Sequence, residues 1–110
     1  MSAVDIVQAQ LDAYNVQNVE LFCACFADDA VLGDLNGAVS CQGIESVRQR
    51  YAKLFAEHPD NRAELLNRIA LGEVVVDEEL ISRGKGAAPF RALALYTVKN
   101  GRIARVDFVR

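Results

Sequence analysis

Asp34 is the residue whose setting most calls for chemistry. It lies in the stretch Leu21 to Gly37 (LFCACFADDAVLGDLNG), where an apolar helical face ending at Phe26 gives way, past Asp28 and Asp29, to a short β-prone run. That run carries one carboxylate among Ala30, Val31, Leu32 and Leu35. A carboxylate covered on one side of a strand must be hydrogen-bonded, neutralised or used. The use expected here is as a general base at the bottom of a small pocket, taking a proton α to a carbonyl or activating a water. An unperturbed Asp titrates near about 3.9, so such a base needs apolar walls to raise its basicity and a donor to hold the developing oxyanion. The competing account is a strand-end Asp that helps the Asn36–Gly37 turn.

Tyr14 is the first candidate for that donor, with Tyr51 and Tyr96 behind it; each also falls in the apolar stripe of its own element, where it would pack in the core with its hydroxyl at the rim. Phe26, Tyr51, Glu78, Tyr96 and Asp107 are the expected ligand contacts. The run Asp77, Glu78, Glu79 could attract a cation or basic ligand, or form a solvated strand edge. Alternation sends Glu78 opposite to Asp77 and Glu79, and only one set can face the helices. Asp107 shares its face with Ile103, Arg105 and Val109, so it is either a pocket acid or an interface residue paired with an arginine.

Other reactive types point elsewhere. His58 is the only histidine and stands at a helix end before Pro59, a surface position that suits the helix dipole. Without a second histidine, a Ser-His or Cys-His machine has little support. Cys23 and Cys25 are two apart on a helix and face different sides, which disfavours a shared metal. Together with Cys41 they make an odd count at no framework spacing, as expected of reduced thiols in a cytoplasmic protein. Lys85 lies between two glycines, but the surrounding RGKGA is no phosphate-binding loop. No metal and no cofactor is expected.

The elements that must position these residues follow from periodicity. Ser2 with Asp5 caps a first helix over about residues 3 to 16, with Val4, Val7, Leu11 and Tyr14 on its buried face. Asn18 caps a second, shorter helix that ends near Asp28–Asp29. A strand over 30 to 35 turns at Asn36–Gly37 toward Val39 to Cys41. A third helix, Ile44 to His58, carries the clearest stripe, Ile44, Val47, Tyr51, Leu54 and Phe55, and stops at Pro59. Four strands follow, over about 62 to 71, 74 to 82, 90 to 98 and 102 to 109, the last two joined by the hairpin signal Asn100–Gly101. Helices first and an antiparallel meander after them predict an α+β fold, with the helices on one face of a curved sheet. The strand over 90 to 98 is apolar on both faces, and a second subunit is the expected cover for the outer one, giving a homodimer.

The chain has 110 residues, a single domain spanning 1 to 110. At 52% hydrophobic and 25% charged, with a net charge of −3, it has the balance of a globular protein and no basic stripe for nucleic acid. The opening MSAVDIVQAQ lacks the features of a signal peptide, and no segment reaches a membrane span.

The order of these pieces resembles the nuclear transport factor 2-like superfamily, the cone-shaped α+β fold shared by SnoaL-like polyketide cyclases and ketosteroid isomerases. The resemblance covers nearly the whole chain and rests on Val7 to Asp34 with its F-A-D-D-A, on the turn at Gly43, and on N-G-R-I-A-R-V from Asn100 to Val106. It implies that Asp34 is the general base. The isomerases' oxyanion tyrosine corresponds to Gln10, with Tyr14 one turn later, and their second donor to Ala94. A group of small bacterial members is more similar still, through Asn67 to Gly72 (NRIALG) and Val75 to Glu79 (VVDEE). Where those relatives carry His and Trp, this chain has Glu78 and Asp107. The implied function is a hydrophobic small-molecule pocket, working as a cofactor-independent isomerase, lyase or cyclase. The alternative is a non-catalytic ligand-binding or protein-interaction module of the same fold.

Overall fold

Ser2 accepts from the Asp5 amide while the Asp5 carboxylate accepts from the Ser2 amide, and this reciprocal cap starts helix α1 (Ala3–Asn15). The computed structural model describes residues 1–110. Asn18 caps α2 (Val19–Ala24) through the Leu21 amide. This helix is shorter than its apolar spacing predicts, because Phe26 already pairs with Ile103 and the Ile103 amide donates to the Cys25 carbonyl at 2.8 Å. Strand β1 (Phe26–Asp34) therefore absorbs Asp28 and Asp29 rather than starting after them. β2 (Val39–Gln42) folds back on it. Gly33 lets that return run close, since a Cβ there would stand 2.7 Å from the Ala38 carbonyl oxygen.

Gly43, at φ 88°, turns the chain into α3 (Ile44–Glu57) in a conformation that favours glycine. β3 (Arg62–Leu71), β4 (Val74–Ser82), β5 (Phe90–Lys99) and β6 (Arg102–Val109) then form the antiparallel meander. Asn100 and Gly101, at φ 53° and 75°, make its last turn. The six strands run in the order β2-β1-β6-β5-β4-β3, with β1 and β6 parallel and every other pair antiparallel.

The helices pack on one face of this curved sheet, which is the expected α+β architecture. Val7, Leu11 and Tyr14 from α1, Phe22 from α2, and Val47, Tyr51 and Phe55 from α3 join Val75, Ala94, Tyr96, Ile103 and Val106 in one core. Asn15 fastens α1 to the sheet edge, donating to the Ala63 carbonyl at 2.9 Å and accepting from the Ala63 amide at 2.8 Å. No helix is long and apolar enough to cross a membrane.

The faces of the meander settle where the acids go. Val75, Asp77, Glu79 and Ile81 point to the helices, whereas Glu78 and Asp107 are on the outer face, contrary to their expected place in the pocket. There Glu78 takes Asn67 and Arg91, and Asp107 takes Arg105 at 3.0 Å. Ile69, Leu71, Val74, Leu93 and Val109 remain exposed on the same outer surface.

Candidate functional site

The register of β4 against β5 sets Glu79 opposite Ala92 and Asp77 opposite Ala94. Ala92 on the concave surface leaves a hollow that a larger side chain would fill, and a cavity of about 240 Å³ lined by Ala92 and Glu79 opens there between the sheet and the three helices. All three tyrosines of the chain line it, with Phe22 and Phe26. Their rings interlock: Phe22 lies 4.4 Å from Tyr51 and 4.9 Å from Phe26, and Tyr14 lies 6.3 Å from Tyr51. Tyr14, Phe26, Tyr51 and Tyr96 thus line one cavity.

Asp34 is not brought to them. By register it shares the concave face with Leu32 and pairs with Phe108, but it falls at the strand's open end, where its side chain is 64% exposed and meets Arg110 at 3.5 Å. It lies outside the cavity lining, one ion pair removed from it through Arg110. The apolar neighbours that suggested a covered acid point to β1's own core positions, Ala30 and Leu32, and do not extend over residue 34. The base expected at the pocket floor is therefore absent from that position, and a different acid occupies the floor.

That acid is Glu79, which is 6% exposed and lines the cavity. Burial pushes its carboxyl up to about 7, the negative Asp77 beside it adds to the rise, and Arg68 opposes it. Asp77 is fully buried and held by Arg68 through two parallel bonds, Nε to Oδ1 at 2.7 Å and Nη2 to Oδ2 at 3.0 Å. Arg68 also donates to Gln8 at 2.8 Å, and Gln8 to Asp12 at 2.9 Å, so the pair is tied to α1. Because Arg68 is committed to Asp77, Glu79 is left as the acid without a hydrogen-bonded cation.

Donors and acceptors line the same cavity. Arg83 donates to the Tyr14 hydroxyl oxygen at 3.1 Å and to Asn61 Oδ1 at 2.7 Å. Since the guanidinium fills an acceptor position on Tyr14, the tyrosine's own proton is free to be donated to a ligand. Gln10, one turn earlier on α1, is 4% exposed, lines the cavity and has no partner for its Oε1. Tyr51 is pushed up to about 12 by burial, and Tyr96 is raised well above the usual tyrosine value by burial and by Glu79 and Asp77. Both hydroxyls stay protonated at neutral pH and can act as donors. His58 lines the cavity mouth, and no three His, Cys, Asp or Glu side chains are grouped to hold a metal ion.

Glu79 is the functional candidate that sequence reasoning passed over. Its signal was present in the alternation of Val75, Asp77, Glu79 and Ile81, two acids bracketed by apolar residues on one face. The opposite face, Val76, Glu78 and Leu80, carries the same apolar–acid–apolar pattern, so alternation alone does not choose between them.

Comparison with known proteins agrees with this fold. The family model of the SnoaL-like domain matches residues 7–106. An uncharacterized cystatin-fold protein from Novosphingobium aromaticivorans superposes with a TM-score of 0.94 at 32% identity, over 100% of this chain and 99% of its own. A polyketide cyclase candidate from Sinorhizobium meliloti superposes at 0.81 with 26% identity, over 99% and 100%. An epoxide hydrolase of M. tuberculosis shares the fold at 0.80 with 18% identity, over 96% and 80%. No curated protein matches the chain.

Proposed function

The chain belongs to the SnoaL-like domain family, and from that premise we propose that its cavity binds an apolar, carbonyl-bearing small molecule and moves a proton on it, with Glu79 as the acid–base group. The observation that supports this most is a carboxyl buried in an aromatic cavity and raised to about 7. A group with that midpoint is divided between acid and base near neutral pH, which favours proton transfer in either direction. Glu79 would take a proton α to the carbonyl, and Tyr14, polarised by Arg83, would donate to the oxygen as negative charge develops there. Gln10 is a second group able to meet the ligand. The role first expected of Asp34 passes to Glu79, and Asp34 is left at the rim with Arg110. The reaction class is an isomerisation, a lyase step or a ring closure, each of which begins with this proton transfer: the enolate takes the proton back at another carbon, expels a leaving group from the β-carbon, or adds to a second carbonyl of the same molecule, whose oxygen then takes up the proton.

The test is a carbon-13 titration of the Glu79 carboxyl, with and without a panel of aryl ketones such as acetophenone. The expected midpoint is near 7 and moves when ketone is added; deuterium from heavy water then appears α to the carbonyl, and Glu79→Gln abolishes that uptake. An ordinary glutamate midpoint with no response to ketone, and no uptake, would leave a non-catalytic module of the same fold as the better account.

We further propose that two copies meet through the outer sheet face. Exposed Ile69, Val74, Leu93 and Val109 supply its apolar part, and Glu78, Arg91, Arg105 and Asp107 place both signs of charge on one surface, as a self-complementary contact requires. Sedimentation at micromolar concentration should give twice the 12.0 kDa chain mass, and Leu93→Arg should return it to one. A single-chain species in the parent would overturn the dimer.

A further inference from the structure

Nine arginines are present, and Arg48, Arg68, Arg91, Arg102, Arg105 and Arg110 each have a carboxylate within 4.0 Å. In a chain with more acids than bases, three go without. One is Arg62 at the start of β3; the other two, Arg50 and Arg83, both line the cavity.

Each of these two is anchored by one nitrogen and left open on the other edge. Arg50 donates through Nη1 to Ser40 Oγ at 2.8 Å and to Cys41 Sγ at 3.8 Å. Its guanidinium lies over the rings of Tyr51 and Phe108, at 5.5 and 5.9 Å. Arg83 spends Nη1 alone on Tyr14 and Asn61, and its guanidinium lies over Phe90 at 5.3 Å. In both, Nε and Nη2 have no protein acceptor. That edge is the fork which takes a carboxylate through two parallel bonds, and stacking on an aromatic ring fixes its plane in advance. The remaining charges of the cavity wall are already engaged or of the wrong sign: Lys53 faces Glu57 at 3.9 Å, Arg110 faces Asp34, and Glu79 is the acid of the floor.

We infer that the ligand is an anion, an apolar oxo acid whose carboxylate is received by the open guanidinium edges of Arg50 and Arg83 while its carbonyl end lies toward Glu79. The inference rests on the cavity reading given above and adds the charge and orientation of what fills it. Glu79 is the acid on the sheet side of the cavity and the two arginines are cations on its wall, so the two ends of such a molecule are told apart by charge. A neutral compound of the same shape would leave both guanidinium edges without an anionic partner.

The probes are 4-oxo-4-phenylbutanoate and its methyl ester, measured by calorimetry and by the resonances of Tyr14 and Tyr51. The carboxylate should bind about tenfold more tightly than the ester at physiological salt, the factor that one charge-assisted bond of about 1.4 kcal/mol supplies. Arg50→Gln and Arg83→Gln should each reduce that preference, and the double variant should lose it while still binding the ester, which reports that the cavity has kept its form. Equal or tighter binding of the ester, or a preference that survives the double variant, would overturn the inference and leave the pocket reading intact. If neither compound moves the Tyr14 and Tyr51 signals, both readings fall together.

Discussion

Asp77→Ala is expected to lower the unfolding free energy by about 3–5 kcal/mol, the scale set by removing one partner of a buried ion pair. In a chain of this length such a loss corresponds to a fall in melting temperature on the order of 15 °C. The reason lies in what is left behind. The Asp77 side chain is wholly buried and Arg68 is 15% exposed, so the alanine variant leaves a largely buried guanidinium with two donors unmet. Only Gln8 would still hold it. Replacing both partners, as Asp77→Leu with Arg68→Met, removes the stranded charge along with the attraction, and should cost far less than Asp77→Ala alone. Urea denaturation of the three proteins decides the matter. An Asp77→Ala loss under about 1 kcal/mol would mean that water reaches Arg68 and that the floor of the cavity is wetter than its burial implies.

The same variant reports on the site. Asp77 helps to raise the Glu79 carboxyl and Arg68 helps to lower it. With Asp77 gone, Arg68 has Glu79 as its nearest remaining acid on the buried face, and the Glu79 midpoint should move down toward the ordinary range. Asp77 and Arg68 thus act on Glu79 in opposite directions, and burial, the largest cause, holds its carboxyl at about 7.

Much of this was legible in the sequence, and the residues that were not share a physical reason. The stripe of Ile44, Val47, Tyr51, Leu54 and Phe55, and the strands after Pro59, are local patterns of period 3.6 and 2, and the observed α3 and β3 to β6 follow them within a residue or so. The end of α2 is not local. It is fixed by β6, which arrives more than seventy residues later to pair with Phe26. Asp34 misled for a related reason: the apolar residues around it cover the strand only as far as Leu32, and where the helices stop is a property of the packed layers. Glu78 and Asp107 depended on strand phase, which was ambiguous because both faces of the meander are partly apolar. Glu79 was recoverable only once the small Ala92 was known to stand opposite it, and pairing register supplies that.

Glu79 should also make the protein less stable as pH rises through the neutral range. Its carboxyl moves from an ordinary 4.5 to about 7 on folding. Below about 4.5 the folded and unfolded chains are both protonated there, and the group favours neither pH. Between 4.5 and about 7 the folded chain holds a proton that the unfolded chain has released, so stability falls as pH increases. Above about 7 the folded chain carries a buried charge, and the accumulated loss is on the order of 3 kcal/mol, an upper figure given the partial opening of the cavity. The groups that face Glu79 shape this curve: Asp77 and Arg68 beside it, and Tyr96, which stays protonated throughout. Glu79→Gln keeps the shape and removes the titration. It should therefore be about as stable as the parent near pH 4, more stable by about 3 kcal/mol near pH 8, and nearly flat in the difference outside that window. Urea unfolding of the two proteins at several pH values isolates the term, because the lowered Asp5 and Glu78 carboxyls are common to both. Parallel curves would show that Glu79 titrates as an ordinary glutamate, which would remove the basis for proton transfer at this site. A divergence of the expected sign would show that the fold carries a destabilising acid in its cavity wall, a cost that structure alone does not require and that proton transfer to a bound ligand does.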